Sequence, residues 1–346
     1  MKIAVYTIAL NEEKFVERWY ESAKDADYLL IADTGSTDNT KRIAEKLGIK
    51  VIDISIKPWR FDDARNAALA SLPADIDMCI AMDMDEVLSD GWREALEKTT
   101  GTQIIYRFVY TWKNKDQTIP GFISSHSKVH ARHGYRWKYM VHEYIFPDRN
   151  PNHVLEESKD FEIRHYPEED KAASRYDSLI KDERNEDPSN PRYQLYYAKT
   201  LVETNTEDAI KEFKKYINMG GGVKLETDIC LSYITLARLE PLKSKKYLKL
   251  ALKSWYAREP LICLAIHYFN KKKWKKAAKY CRKTLEITQR TTDHNYLEYA
   301  WNYLPKNMLY VSNHNSKFKN RNNKMSLNIH GMASSNFDLF KETDVV

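Results

Sequence analysis

The sequence predicts an α/β domain built on a Rossmann-like mixed sheet, followed by an all-α domain. Three observations carry that prediction. From about residue 3 to residue 165, short apolar runs alternate with amphipathic helical patterns, the signature of a layered α/β structure. After Pro167 the pattern is helical throughout and repeats with a period of 34 residues. Charge changes at the same place: residues 1–168 hold 23 Lys and Arg against 28 Asp and Glu, whereas residues 169–346 hold 32 against 21. A chain of 346 residues suits two domains. Its 42% hydrophobic and 30% charged residues exclude a mostly disordered protein.

The elements follow in order. Residues 3–10 are expected to form the first strand; this apolar run meets Asn11-Glu12-Glu13 with no basic n-region and no small-residue cleavage site, so it reads as a buried strand rather than a signal peptide. Residues 15–23 form a helix with Phe15, Trp19 and Ser22 on one side, and 28–32 a second strand. A helix over 37–47 stops at Gly48, a strand covers 51–54, and a helix covers 61–70. The strand at 78–82 runs into an acidic cluster. Longer β segments follow at 104–112 and 128–131, then an aromatic-rich connection at 135–144 and a last strand at 161–165.

In the second half Phe213, Tyr247 and Cys281 share a register, as do Ile217, Ala251 and Leu285. The preceding helices align Leu195, Ile229 and Cys263, and also Leu201, Thr235 and Phe269. That is the period of tetratricopeptide-like (TPR-like) helix pairs, although Lys243 stands where the other repeats have Ala209 and Ala277. The expected domains are 1–167 and 168–312, with 313–346 an irregular tail rich in Asn, Lys and Ser. No run approaches the ~18 apolar residues of a membrane span. Cys79, Cys230, Cys263 and Cys281 have no CxxC spacing, so they read as reduced core residues of a cytoplasmic protein.

Two clusters carry chemistry. Asp83-Met84-Asp85-Glu86 follows the apolar run 78–82, and strand alternation would turn Asp83 and Asp85 to one side in the crevice at the end of the sheet. Like charges held together suit Mg²⁺ or Mn²⁺ that also touches a substrate phosphate; an acidic turn capping the next helix is the plainer reading. Asp33, ending the second strand, is placed to accept hydrogen bonds from a ligand's N–H or hydroxyl groups. Gly35 allows a tight turn there, and Thr37 or Asp38 could cap the following helix. Neither GxGxxG nor GxxxxGK[ST] is present, which excludes the dinucleotide and P-loop readings.

Together Thr7-Ile8-Ala9-Leu10-Asn11-Glu12, the run from Asp33 to Thr40, Arg65-Asn66 and Asp83-Met84-Asp85-Glu86 resemble the family 2 glycosyltransferases of GT-A fold. Four separated motifs agree in order and spacing, and the resemblance covers residues 1 to about 166. Several members of that family carry TPR-like repeats behind the catalytic domain. The resemblance implies a nucleotide-diphosphate sugar donor held by Thr7, Asn11, Glu12 and Asp33, with Arg65 approaching the diphosphate. It further implies Mn²⁺ or Mg²⁺ on Asp85, with Asp83 meeting the ribose or the metal's waters, and His165 as a further metal ligand.

An inverting transfer also needs a general base to activate the acceptor hydroxyl. Glu143 is the candidate, in an aromatic segment expected to raise its pKa, with Asp148 behind it. His142 and Trp137 are candidates to contact the acceptor or a phosphate. Trp59, Arg60, Phe61 and Asp62 either line the donor pocket or pack the entry to a helix. The expected function is metal-dependent, inverting glycosyl transfer to a glycan, a peptide or a modified DNA base. In the DNA case the lysine-rich second half would hold the phosphate backbone. A second alternative is a non-enzymatic helical-repeat scaffold with a relic transferase domain. The helical domain would select or present the acceptor, or form a homodimer.

Overall fold

The computed structural model describes residues 1–112, 120–148, 150–166, 174–220, 224–289, 297–317 and 325–326. The chain forms two compact units, Met1–Glu183 and Arg184–Val346. Their division lies within a helix, later in the chain than the 167/168 boundary expected from sequence. The expected fold class, a mixed α/β sheet followed by an all-α region, is the one observed.

The first unit runs β1 (Ile3–Ala9), α1 (Val16–Ala23), β2 (Tyr28–Asp33), α2 (Thr40–Lys46), β3 (Lys50–Asp53), α3 (Phe61–Ala70), β4 (Met78–Ala81), β5 (Glu86–Leu88) and α4 (Trp92–Glu97). It continues through β6 (Gln103–Trp112), β7 (Pro120–Ala131), β8 (Tyr135–Lys138), β9 (Tyr144–Pro147), β10 (Leu155–His165) and α5 (Ser174–Glu186). Eight strands form one sheet in the order β3-β2-β1-β4-β7-β6-β10-β5. β1 pairs in parallel with both β2 and β4, so the strand order reverses there and opens a crevice at their carboxyl ends.

The period-2 alternation of the strands sorts side chains onto two faces. Ile3, Val5, Ile31, Met78 and Ile80 pack with Val16 and Trp19 of α1 and Trp92 of α4. Ala4, Tyr6, Leu30, Cys79 and Ala81 pack with Ala68 and Leu69 of α3 and with Tyr135, Trp137 and Ile145. Those last three belong to a β8–β9 hairpin, where a mere aromatic-rich connection was expected. β5 and α4 were also absent from the sequence reading, and β7 begins at Pro120 rather than at 128.

The second unit is helical: α6 (Pro191–Thr200), α7 (Thr206–Asn218), α8 (Glu226–Leu239), α9 (Ser244–Ser254), α10 (Arg258–Asn270), α11 (Trp274–Glu286) and α12 (Leu304–Lys317). Pro191 and the Asn190 side chain, which accepts from Arg192 N, start α6; Asn205 does the same for α7 through Asp208 N. Phe213, Tyr247 and Cys281, the residues of one repeating register, are all buried in one core with Leu195 and Cys263. The tail expected to be irregular from 313 is helical to Lys317; apart from 325–326, the rest of it lies outside the described residues. All four cysteines are buried thiols. Among the described residues no helix is long and apolar enough to cross a membrane.

A buried polar relay ties the hairpin to the sheet. Trp137 Nε1 donates to Tyr6 Oη at 2.7 Å, and Tyr6 Oη lies 3.0 Å from His130 Nε2, whose Nδ1 is 2.9 Å from the Ala131 carbonyl. Nδ1–H donating to the carbonyl leaves Nε2 as the acceptor, so the neutral ring fits and the imidazolium does not. Burial pushes His130 down to about 4, with the Arg132 charge adding to it against the Ala131 hydrogen bond. The unfolded chain therefore takes up this proton first, and the stability from a neutral His130 is lost as pH falls from about 6.5 to about 4. In urea unfolding, His130→Gln should lack a component of acid destabilisation on the order of 3 kcal/mol that the unmodified protein shows over that window. Equal pH slopes for the two proteins would reject this account.

Candidate active site

Two loops at the carboxyl ends of β1 and β2 are sewn together by their side chains. Asn11 N donates to Ser36 Oγ at 2.9 Å, and Asn11 Oδ1 accepts from Thr37 N at 2.8 Å. Glu12 N donates to Thr40 Oγ1, Glu13 N to Asp38 Oδ2, and Asn39 N to Glu13 Oε2. Asn11 takes a left-handed φ of 56°, which an Asn tolerates and a branched residue does not. These bonds give Asn11 and the Glu12 backbone a loop-fixing role. Asp38 Oδ1 accepts from Thr40 N, so α2 starts at Thr40 rather than at 37.

Asp33 is fully buried at the end of β2. Its Oδ1 accepts from Gly35 N at 2.9 Å and Ser36 N at 2.8 Å, a turn for which Gly35 supplies a φ of 115°. Its other oxygen, Oδ2, is buried with no hydrogen-bond partner among the described residues. Thr7 lies inside β1, fully buried, with Oγ1 donating to the Ile8 carbonyl. It is therefore within the sheet and not in the loop that follows.

Arg65 sits on the buried stripe of α3 with Ala68 and Leu69, and is 4% exposed. Its Nε donates to Glu143 Oε1 at 2.5 Å and its Nη2 to Asp83 Oδ1 at 2.5 Å, while the guanidinium lies 4.9 Å from the Trp137 ring centre. Its Nη1 is buried without a partner among the described residues. Asp83 Oδ2 accepts from Lys128 Nζ at 2.9 Å, and Lys128 also reaches Glu86 Oε1 at 3.0 Å. Burial opposes the charge on Asp83, but Arg65 and Lys128 hold its carboxyl well below the usual carboxylate range. Burial likewise pushes Glu86 up to about 7, against the pull of Lys128 and helped by Asp83.

β4 ends at Ala81, so residues 83–85 form a turn and strand alternation does not extend through them. The two aspartates consequently have different partners. Asp85 Oδ2 lies 3.2 Å from His165 Nε2, because β10 pairs antiparallel to β5 and Tyr166 N donates to the Asp85 carbonyl. A carboxylate oxygen beside an imidazole nitrogen is a donor pair that fits Mn²⁺ better than Mg²⁺, which prefers oxygen ligands. Among the described residues no group of three His, Cys, Asp or Glu side chains converges, so phosphate oxygens and water would have to complete such a site.

Glu143 closes the turn between β8 and β9, in which Tyr139 and His142 take left-handed φ values of 83° and 52°. Phe61 N donates to the Met140 carbonyl and Met140 N donates to Glu183 Oε1, which pin the turn. The setting expected for Glu143 was aromatic; its hydrogen-bond partner is the Arg65 guanidinium. Trp137 is fully buried beneath that guanidinium, so it offers no surface to an acceptor. His142 is exposed and stacks on Tyr176 at 6.1 Å. Asp148 lies at the far end of β9, where its N donates to the Gly134 carbonyl; the hairpin thus separates it from the Glu143 end and removes it as a second candidate base.

Trp59 meets Phe61 edge-on, Phe61 stacks on Tyr176, and Arg60 pairs with Asp62, the packing alternative for that segment. Lys128 was missed by sequence reasoning. The signal was a lysine opening an otherwise buried strand segment.

Residues 4–102 match the family model described as Glycosyl transferase family 2. An uncharacterised glycosyltransferase of Rickettsia bellii is 29% identical over 133 residues, covering 37% of this chain and 44% of the relative. Another, from Rickettsia conorii, is 37% identical over 97 residues, covering 28% and 33%. The chain thus spans less than half the length of these curated relatives. Among solved structures, glucosyl-3-phosphoglycerate synthase from Mycobacterium tuberculosis in complex with Mn²⁺, UDP and glucosyl-3-phosphoglycerate is 26% identical, with a TM-score of 0.26 over 32% of this chain and 44% of that one. The same synthase with Mn²⁺, UDP-glucose and phosphoglyceric acid gives 25% and 0.27 over 33% and 45%.

The Arg65 arrangement makes a stability prediction. Replacing Arg65 by Leu leaves the half-buried Glu143 without its guanidinium and takes one of two cations from Asp83. It should cost about 3–5 kcal/mol in urea unfolding, the usual loss on breaking a buried ion pair. Glu143→Gln in the same chain should recover part of that loss, and strict additivity of the two changes would sink the idea that they are coupled.

Proposed function

We propose that the first unit is a nucleotide-sugar glycosyltransferase that moves a sugar, with inversion, from a nucleotide-diphosphate donor to an acceptor hydroxyl. One observation carries this reading: two complementary buried groups with no hydrogen-bond partner among the described residues, and a carboxylate–imidazole pair, belong to the segments at the carboxyl edge of the sheet. Asp33 Oδ2 is a buried acceptor, Arg65 Nη1 a buried donor, and Asp85 with His165 a carboxylate–imidazole pair. The family 2 match over residues 4–102 supports the same chemistry.

Each residue then has a task. Asp33 accepts from an N–H or hydroxyl of the nucleoside, which relieves a buried oxygen that otherwise costs about 1–3 kcal/mol. Asp85 and His165 hold a divalent cation, which when bound stabilises the charge that develops on the diphosphate leaving group. Arg65 holds Asp83 and Glu143 in fixed places. Glu143 is the base: Oε1 is engaged by Arg65, and Oε2 makes no hydrogen bond among the described residues, leaving it to accept the acceptor proton. The buried 34-residue register of the second unit supports its reading as a TPR-like array that selects or presents the acceptor.

A thermal-shift screen of nucleotide sugars with Mn²⁺ should single out one donor, since a ligand bound only by the folded state raises stability by RT ln(1 + [L]/Kd). Asp85→Asn should abolish both that shift and sugar transfer while the fold persists. A fully active Asp85→Asn protein would remove the metal role. Glu143→Gln should lower kcat by roughly 10²–10⁴-fold with donor affinity little changed. Weakened donor binding with kcat intact would make Glu143 a binding residue instead of the base.

A further inference from the structure

Arg65, the residue expected to meet the diphosphate, already has two carboxylate partners, and so does Lys128. Their charge is largely spent within the protein. Arg18, on α1, is different. It is half-buried, with its guanidinium 4.8 Å from the Tyr166 ring centre and 5.2 Å from that of Phe15. Its Nε and Nη2 are both buried and have no hydrogen-bond partner among the described residues. These two nitrogens form one edge of the guanidinium, the edge that presents two parallel N–H groups to a carboxylate or phosphate.

The position of Arg18 is tied to the metal-site pair. Tyr166, whose ring it covers, follows His165 in the chain and donates its N–H to the Asp85 carbonyl at 2.8 Å. Burial pulls the Arg18 pKa down, opposed by Tyr166 and the Asp85 carboxylate, so Asp85 acts on it electrostatically without a hydrogen bond between them. A guanidinium used only as a packing plate over Tyr166 and Phe15 would have no need to bury two donors, each of which costs free energy when unpaired.

We propose that the Nε–Nη2 edge of Arg18 binds two phosphate oxygens of the donor's diphosphate, beside Asp85 and His165. This rests on the transferase reading above and moves the main diphosphate contact from Arg65 on α3 to Arg18 on α1. Arg18 answers the charge of the leaving group, while Arg65 organises the carboxylates around it.

The test is calorimetric titration of the full chain with inorganic pyrophosphate in the presence of Mn²⁺. Pyrophosphate binding should weaken at least tenfold in Arg18→Gln. Arg18→Lys should recover only part of it, because an ammonium has no two-pronged edge. The lysine variant keeps the charge, so it provides the readout if Arg18→Gln does not fold; it should still bind pyrophosphate several-fold more weakly than the unmodified chain. Unchanged affinity in both variants, or no pyrophosphate binding by the unmodified protein, overturns the proposal. Asp85→Asn separates this from failure of the transferase reading. Loss of Mn²⁺-dependent binding there with Arg18 variants unaffected condemns only the Arg18 contact. Unaltered binding in Asp85→Asn condemns the metal role itself.

Discussion

A guanidinium that is almost fully buried must be paired, and the pairing of Arg65 organises everything around it. Removing that charge from water costs several kcal/mol, which is offset only by good geometry with opposite charges. Arg65 draws one carboxylate from the turn after β4 and another from the turn of the β8–β9 hairpin. Those segments are far apart in sequence, and the helix carrying Arg65 is a third. One side chain thus fixes the mutual positions of two turns and a helix at the end of the sheet. Trp137 beneath the guanidinium supplies the plate against which the fork is held flat.

The network extends beyond Arg65 with alternating sign: Glu143, Arg65, Asp83, Lys128, Glu86. Each interior member faces opposite charges on both sides, so none is left to bear its burial alone. At the far end Glu86 is 2% exposed, and its second oxygen accepts the backbone N–H of Asp83. Glu86 therefore shapes the turn as well as closing the charge series. The Asn66 side chain does comparable work on the hairpin, bonding both N and O of Trp137, so α3 holds the same hairpin through neutral and charged contacts.

Much of the fold was legible because the strands of the crevice are buried on both faces, and such strands read as plain apolar runs at 3–10, 28–32 and 78–82. The site's ends were legible where a polar residue interrupted such a run, as Asp33 and His165 do. β5 went unread because three residues carry no period, and it exists only through its pairing with β10. The hairpin went unread because its aromatic residues are set by a relay to Tyr6 and His130, distant in sequence. Lys128 and Arg65 illustrate the limit most clearly. Nothing local to either sequence segment states that Asp83 lies between them.

The separation of Asp83 and Asp85 explains how one short acidic motif can serve two purposes. Strand alternation would have made the pair equivalent, but β4 stops at Ala81 and the turn gives each its own surroundings. Asp83 accepts from a guanidinium on one oxygen and an ammonium on the other. A further cation would have to displace one of those charges and leave it buried, so Asp83 is committed to the scaffold. Asp85 has an imidazole as its neighbour, and a neutral imidazole can give up a hydrogen bond to a carboxylate and become a ligand in its own right. The carboxylate least able to change partners sets the geometry, and the one most able to change stands beside an imidazole.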